Sequence, residues 1–155
     1  MTQPAVDTIV MKFGGSSVAD ADKVRHVATR FVAAKRRGLN VVGTVSAMGT
    51  STDSLIALAN EVSPTPNPRE LDMLLSTGER IACALVAMAI HDLGEEAVSY
   101  TGSQAGIVTD SAHGKAKIRE IRGERIRSSL EQGKIVLVAG FQGCLLYTSD
   151  AADEL

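Results

Sequence analysis

Three short stretches carry side chains suited to holding a charged small molecule. In the first, Lys12-Phe13-Gly14-Gly15-Ser16-Ser17, a lysine is followed by two glycines and two hydroxyls. Glycines let the backbone approach a ligand closely, and helix-start amides together with a lysine suit phosphate oxygens. The stretch is neither GxxxxGK[ST] nor GxGxxG, and taken alone it reads equally well as a tight strand-to-helix turn with a solvated lysine. The second, Ser46-Ala47-Met48-Gly49-Thr50-Ser51-Thr52, offers small residues and hydroxyls for a carboxylate or phosphate, or simply a cap for the helix that follows. The third holds Glu79 in Leu74–Arg80 (LLSTGER), between apolar runs. Its carboxylate suits an ammonium group; the plainer alternative is an exposed helix glutamate paired with Arg80.

Other reactive side chains lack partners at a useful spacing. His26, His91 and His113 have no Cys or Asp at metal-ligand spacing, so no histidine metal site is expected. Cys83 lies among Ile81, Ala82, Leu85 and Val86 and reads as a core thiol, while Cys83 and Cys144 form no CxxC pair. Lys115, Lys117 and Arg119 read as a solvated face.

The elements that must position these residues alternate. Strands are expected at Thr8–Phe13, Asn40–Val45, Ala97–Tyr100 and Lys134–Ala139, with a short extended piece at Ile107–Thr109. A helix from Ala19 to Arg37 has Val24, Val27, Ala28, Phe31 and Ala34 at helical spacing and Gly38 as its stop. A second helix spans Asp53–Val62. A third starts at Pro68 behind an Asn67 cap and runs to about Leu93, with a break expected near Ser76-Thr77-Gly78 and an end at Gly94. A last helix lies near Gly123–Gln132. This order predicts a parallel α/β sandwich, in which ligands bind at the carboxyl ends of the strands.

The 155 residues suffice for one domain with a sizeable core; they are 45% apolar and 22% charged, with 3% aromatics. A net charge of −2 gives no electrostatic case for nucleic acid or a membrane surface. The start does not resemble a signal peptide, no segment approaches a bilayer span, and the cysteine usage suits a reducing cytoplasm.

Taken together and in order, KFGGSSV (Lys12–Val18), VSAMG (Val45–Gly49), STD (Ser51–Asp53), LLSTGER, YTGSQAGI (Tyr100–Ile107) and VAGFQG (Val138–Gly143) resemble the aspartate kinases of the amino-acid kinase family. The resemblance runs from about Ile9 to Gly143. It implies a three-layer αβα sandwich with a mainly parallel sheet, carbamate kinase-like, incomplete at its C-terminus. It implies transfer of a phosphoryl group from ATP, with Mg²⁺, to the side-chain carboxylate of L-aspartate, giving 4-phospho-L-aspartate, the first step toward lysine, methionine and threonine. In that scheme Lys12 is the catalytic cation on the ATP phosphates, Gly14, Gly15 and Ser16 give amides to them, and Gly140 lines the same side. Ser46 and Thr52 hold the aspartate, Glu79 takes its α-ammonium, and no protein metal ligand is expected. Relatives commonly form homo-oligomers. A kinase for acetylglutamate, glutamate or a nucleoside monophosphate, and a non-catalytic small-molecule-binding domain, are the competing readings.

Residues 1–143 are thus expected to be the N-terminal part of the catalytic domain. The segment Cys144–Leu155 (CLLYTSDAADEL) resembles a translated sequencing adapter and is expected to be a non-native tail. Relatives continue after the VAGFQG-like block into a TTLGRGGSD-like segment and an adenine-binding region, so the 155-residue chain is expected to be inactive by itself.

Overall fold

The computed structural model of the chain describes residues 6–110 and 117–140. His113, Lys115, Phe141–Gly143 and the Cys144–Leu155 tail lie outside these residues.

The chain opens with β1 (Thr8–Phe13), whose side chains alternate between two faces. Ile9, Met11 and Phe13 pack into the main core, leaving Thr8, Val10 and Lys12 on the opposite face. A 3-10 turn at Gly15–Val18 comes next, and α1 (Ala21–Arg36) begins only after it, capped by the Asp20 carboxylate, which accepts from the Lys23 amide at 2.9 Å. The helix expected from Ala19 to Arg37 is a single helix that starts two residues later, because Asp20 is extended and serves as its cap. Gly38, at φ +83°, turns the chain out of α1.

β2 (Asn40–Val45) lies parallel to β1, with Lys12 opposite Thr44 and Phe13 opposite Val45. α2 (Ser51–Val62) starts at Ser51, whose hydroxyl bonds back to the Met48 carbonyl, and so takes in Ser51 and Thr52, expected in the loop. α3 (Pro68–Asp92) begins as expected, with the Asn67 side chain accepting from the Arg69 and Glu70 amides. It passes unbroken through Ser76-Thr77-Gly78. The two hydroxyls satisfy carbonyls inside the helix (Ser76 to Met73 at 2.8 Å, Thr77 to Leu74 at 2.6 Å), so they do not interrupt it. α3 is also long and apolar enough to cross a bilayer by length and composition, which corrects the expectation that no segment approaches that limit. In the fold, its Ala82, Cys83, Val86 and Ile90 are buried in the main core.

β3 (Ala97–Tyr100) and β4 (Ile107–Thr109) follow as expected. β5 (Ile118–Ile121), which the sequence reading missed, pairs antiparallel with β4. All its residues are exposed, so it lacks the apolar signature of a buried strand; Arg119 stands 3.5 Å from the Asp110 carboxylate. α4 (Glu124–Glu131) leads into β6 (Ile135–Ala139).

The main sheet is parallel, in the order β1-β2-β6-β3. β6 is central and every residue of it is buried, as its continuous apolar run demands. α1 and α3 cover one face, and Ile126 and Leu130 of α4 cover Val136 and Val138 on the other. Close packing sets the first of these layers. The Phe31 ring meets Phe13 edge-on at 5.1 Å and lies directly over Gly43, where a Cβ would sit 2.4 Å from the ring. The structure is the mixed, mainly parallel α/β sandwich the sequence implied.

Candidate functional site

The carboxyl ends of β1, β2 and β6 are held together by backbone hydrogen bonds. The Ser46 amide donates to the Phe13 carbonyl at 3.0 Å, the Gly49 amide to Gly15 at 3.0 Å, and the Gly140 amide to Val45 at 3.1 Å. These bonds bring together the lysine–glycine stretch, the Ser46–Thr52 stretch and Gly140, as expected of strand-end loops in a parallel sheet.

Close approach requires the glycines. A Cβ on Gly15 would lie 2.6 Å from the Ala47 carbonyl oxygen, and one on Gly140 would lie 3.1 Å from that of Val45. Neither residue has a positive φ, so proximity rather than conformation demands glycine there. Within the 3-10 turn the Ser17 amide donates to Gly14 at 2.9 Å, while among the described residues no backbone carbonyl outside the turn accepts from the Gly15 or Ser16 amide. The Lys12, Ser46 and Thr52 side chains likewise engage no hydrogen bond or ion pair among the described residues.

Glu79 enters from α3. It is only 9% exposed, which excludes the surface glutamate considered as an alternative, and it makes no pair with Arg80. Its Oε1 accepts from the Ala47 amide at 3.3 Å, and its buried Oε2 has no partner among the described residues. Burial pushes its pKa above the usual carboxylate range, against the pull of its own amide and that of Ala47. The same burial, reinforced by the Glu79 charge, pushes the neighbouring Cys83 thiol up to about 12, with a Val45 backbone hydrogen bond opposing. An ammonium group reaching Oε2 would satisfy the unpartnered oxygen and compensate the buried charge.

The predicted residues share an edge of the sheet rather than a face. Lys12 projects on the α4 side, together with Thr44 and Gly140, whereas Glu79 belongs to the α1–α3 side. The loop after β2 is linked to both elements: the Ser46 amide donates to Phe13, next to Lys12, and the Ala47 amide donates to Glu79. Thr52 lies in the first turn of α2, half-buried. The YTGSQAGI block forms a turn beside β3, in which Gln104 Oε1 accepts from the Thr101 amide at 3.1 Å. A cleft of about 550 Å³, lined by Thr77, Arg80, Cys83, Tyr100, Thr101 and Gln104, opens there; Lys12, Ser46, Thr52 and Glu79 do not line it.

Two contributors were not singled out from sequence. Ala47 gives the amide that holds Glu79, and Gly78 lets α3 come close enough to receive it. A glycine inside a helix costs about 1 kcal/mol relative to alanine, so Gly78 carried a signal, but it was read as a helix break. Among the described residues no group of three His, Cys, Asp or Glu side chains could hold a metal ion.

The chain resembles known proteins over most of its length. It is 58% identical over 142 residues to the aspartokinase of Mycobacterium tuberculosis, covering 92% of this chain and 34% of that protein. It is 52% identical over 135 residues to aspartokinase 2 of Bacillus subtilis, covering 87% of this chain and 33% of the relative. It therefore spans about a third of the length of the curated relatives it matches. Among solved structures, the aspartate kinase of Synechocystis superposes with a TM-score of 0.75 at 46% identity, over 88% of this chain and 22% of that one. Aspartokinase III of E. coli, solved with aspartate and ADP, shares the fold with a TM-score of 0.74 at 19% identity, over 87% of this chain and 41% of that one. Residues 7–152 match the model of the amino acid kinase family. With that match spanning nearly the whole sequence and the parallel sandwich in place, the chain belongs to the amino-acid kinase family.

Proposed function

We propose that the full-length protein carrying this chain transfers the γ-phosphoryl group of ATP to the side-chain carboxylate of L-aspartate, giving 4-phospho-L-aspartate and ADP. The observation that carries the reading is Glu79: a buried carboxylate with one oxygen engaged and the other unpartnered, held against the loop that bears Ser46. Such a group calls for a cation, and an amino acid brings one in its α-ammonium. The identity to aspartokinases supports aspartate as the amino acid. The E. coli neighbour solved with aspartate and ADP agrees with it in kind.

In this reading a carboxylate oxygen of aspartate attacks the γ-phosphorus. The new P–O bond forms as the bond to the bridging oxygen breaks, and ADP leaves with that electron pair. The nucleophile is already an anion, so no strong base is needed; repulsion between anions is the barrier to overcome. Lys12 and the Gly15 and Ser16 amides, with Gly14 and Gly140 closing the backbone around them, neutralise the phosphates. Ser46 and Thr52 donate to aspartate, and Glu79 orients it. Mg²⁺ supplies further charge neutralisation when it enters on the nucleotide. Lys12 and the amides are the groups of this chain that add to that neutralisation. The same reading places the protein in the first step toward lysine, methionine and threonine, as a cytoplasmic homo-oligomer with no nucleic-acid or membrane partner.

The test is a substrate panel on the full-length protein, with aspartate, glutamate, acetylglutamate and nucleoside monophosphates as acceptors. Aspartyl phosphate, trapped as its hydroxamate, is the expected product. Lys12→Ala should lower turnover by about 10²–10³-fold, the scale of losing one transition-state donor. Preference for another acceptor, or turnover untouched by the substitution, would defeat the assignment.

A further inference from the structure

Ala47 is clamped between two glycines. Its carbonyl oxygen would lie 2.6 Å from a Cβ on Gly15, and its own Cβ would lie 2.9 Å from a Cβ on Gly78. The second contact joins the β2–α2 loop to the middle of α3. One residue further along α3, Glu79 accepts the Ala47 amide at 3.3 Å. Gly78 has no positive φ, so nothing in its backbone conformation requires glycine. Its missing side chain has a steric meaning: carbon atoms separate at roughly 3.5–4.0 Å, and an alanine here would force helix and loop apart by several tenths of an ångström or more. Ala47 is 5% exposed and its carbonyl oxygen lies close against Gly15, so the loop has little room to retreat.

We infer that Gly78 is a positioning residue for amino-acid binding: the absence of its side chain sets the distance between α3 and the Ala47 loop, and thereby where the unpartnered oxygen of Glu79 stands relative to Ser46. This rests on the reading of Glu79 as the receiver of the substrate ammonium. Gly78 itself touches no substrate. It acts through the close fit of helix and loop.

The specific clash supplies its own control. In the full-length protein, Gly78→Ala should raise the aspartate KM and the calorimetric aspartate Kd by about tenfold or more, with the KM for ATP changed less than twofold. Ala47→Gly removes the atom that the new methyl group meets, so the double variant Ala47→Gly/Gly78→Ala should return the aspartate Kd to within about threefold of that of the single variant Ala47→Gly. A purely structural helix glycine predicts the reverse pattern: alanine is the better helix former, so Gly78→Ala would raise the melting temperature and leave aspartate binding unchanged. If Gly78→Ala fails to fold, the double variant still decides, since it must both fold and bind aspartate. Unchanged aspartate binding in Gly78→Ala, or a double variant as impaired as the single one, overturns the inference while leaving the kinase reading intact. A wild-type protein that binds no aspartate overturns both.

Discussion

The Ala47 amide donates to the Glu79 carboxylate at 3.3 Å, across 32 residues of sequence, and this bond ties the loop after β2 to the middle of α3. It uses one carboxylate oxygen and leaves the other buried without a partner. A group so placed is costly to ionise in the empty site and gains from a cation that arrives with substrate. Two effects of opposite sign follow for the same residue.

Glu79→Gln should weaken aspartate binding and stabilise the free protein. Losing a hydrogen bond to a charged group costs about 1.5–3 kcal/mol, so aspartate kcat/KM should fall by roughly 10–150-fold. Stability runs the other way. The folded pKa of Glu79 is raised by burial, so its ionisation opposes folding, and the protein loses stability as pH rises from the ordinary carboxylate value through the raised one. The melting temperature of Glu79→Gln should therefore exceed that of wild type at neutral pH, with the gain fading as pH falls below the raised value. Thermal melts across pH 4–8 without substrate measure this; a gain that grows toward acid would contradict the assignment of burial as the cause.

Gly43→Ala should destabilise the fold without touching the chemistry. The added methyl group would sit 2.4 Å from the Phe31 ring and 2.8 Å from Leu137. Overpacking of this kind costs about 1–3 kcal/mol. Denaturant unfolding of the full-length protein should show that loss, and combining Gly43→Ala with Phe31→Leu should recover part of it, with a coupling above about 0.5 kcal/mol. Additive losses would mean that the ring and the glycine do not oppose each other.

Cys83 should be inert in the native protein. Burial, with the Glu79 carboxylate nearby, pushes its thiol up to about 12, and the residue is 2% exposed. The thiolate is the reactive form, so iodoacetamide at pH 8 should leave Cys83 unmodified until denaturant is added. Peptide mapping by mass spectrometry reads this residue directly; prompt native labelling would show that the α3–sheet interface opens.

Local patterns in the chain were enough for most of the framework. Runs such as TIVMKF, NVVGTV and AVSY marked β1, β2 and β3 at their observed bounds, because each places strand-favouring residues between turn signals, although the edge strand β1, read as buried, proves exposed on one face. Asn67 and Pro68 marked the start of α3, because capping is a matter of neighbouring residues. The exposed strand β5 escaped for the converse reason: IREI buries nothing, and only its pairing with β4 makes it a strand. The chemistry-bearing stretches were also visible, since lysine, glycine, hydroxyl and carboxylate declare what they can bind.

Whether those residues meet was not a local question. Glu79 as a surface residue or a buried acceptor depended on how closely α3 lies against the loop after β2, a distance governed by Gly78 and Ala47 from separate parts of the chain. The approach of Lys12 from one face of the sheet and Glu79 from the other came from strand order and side-chain alternation acting together. Composition and spacing record what each residue can do with its neighbours in sequence; contacts across 32 residues record which backbone surfaces fit, and that information resides in packing.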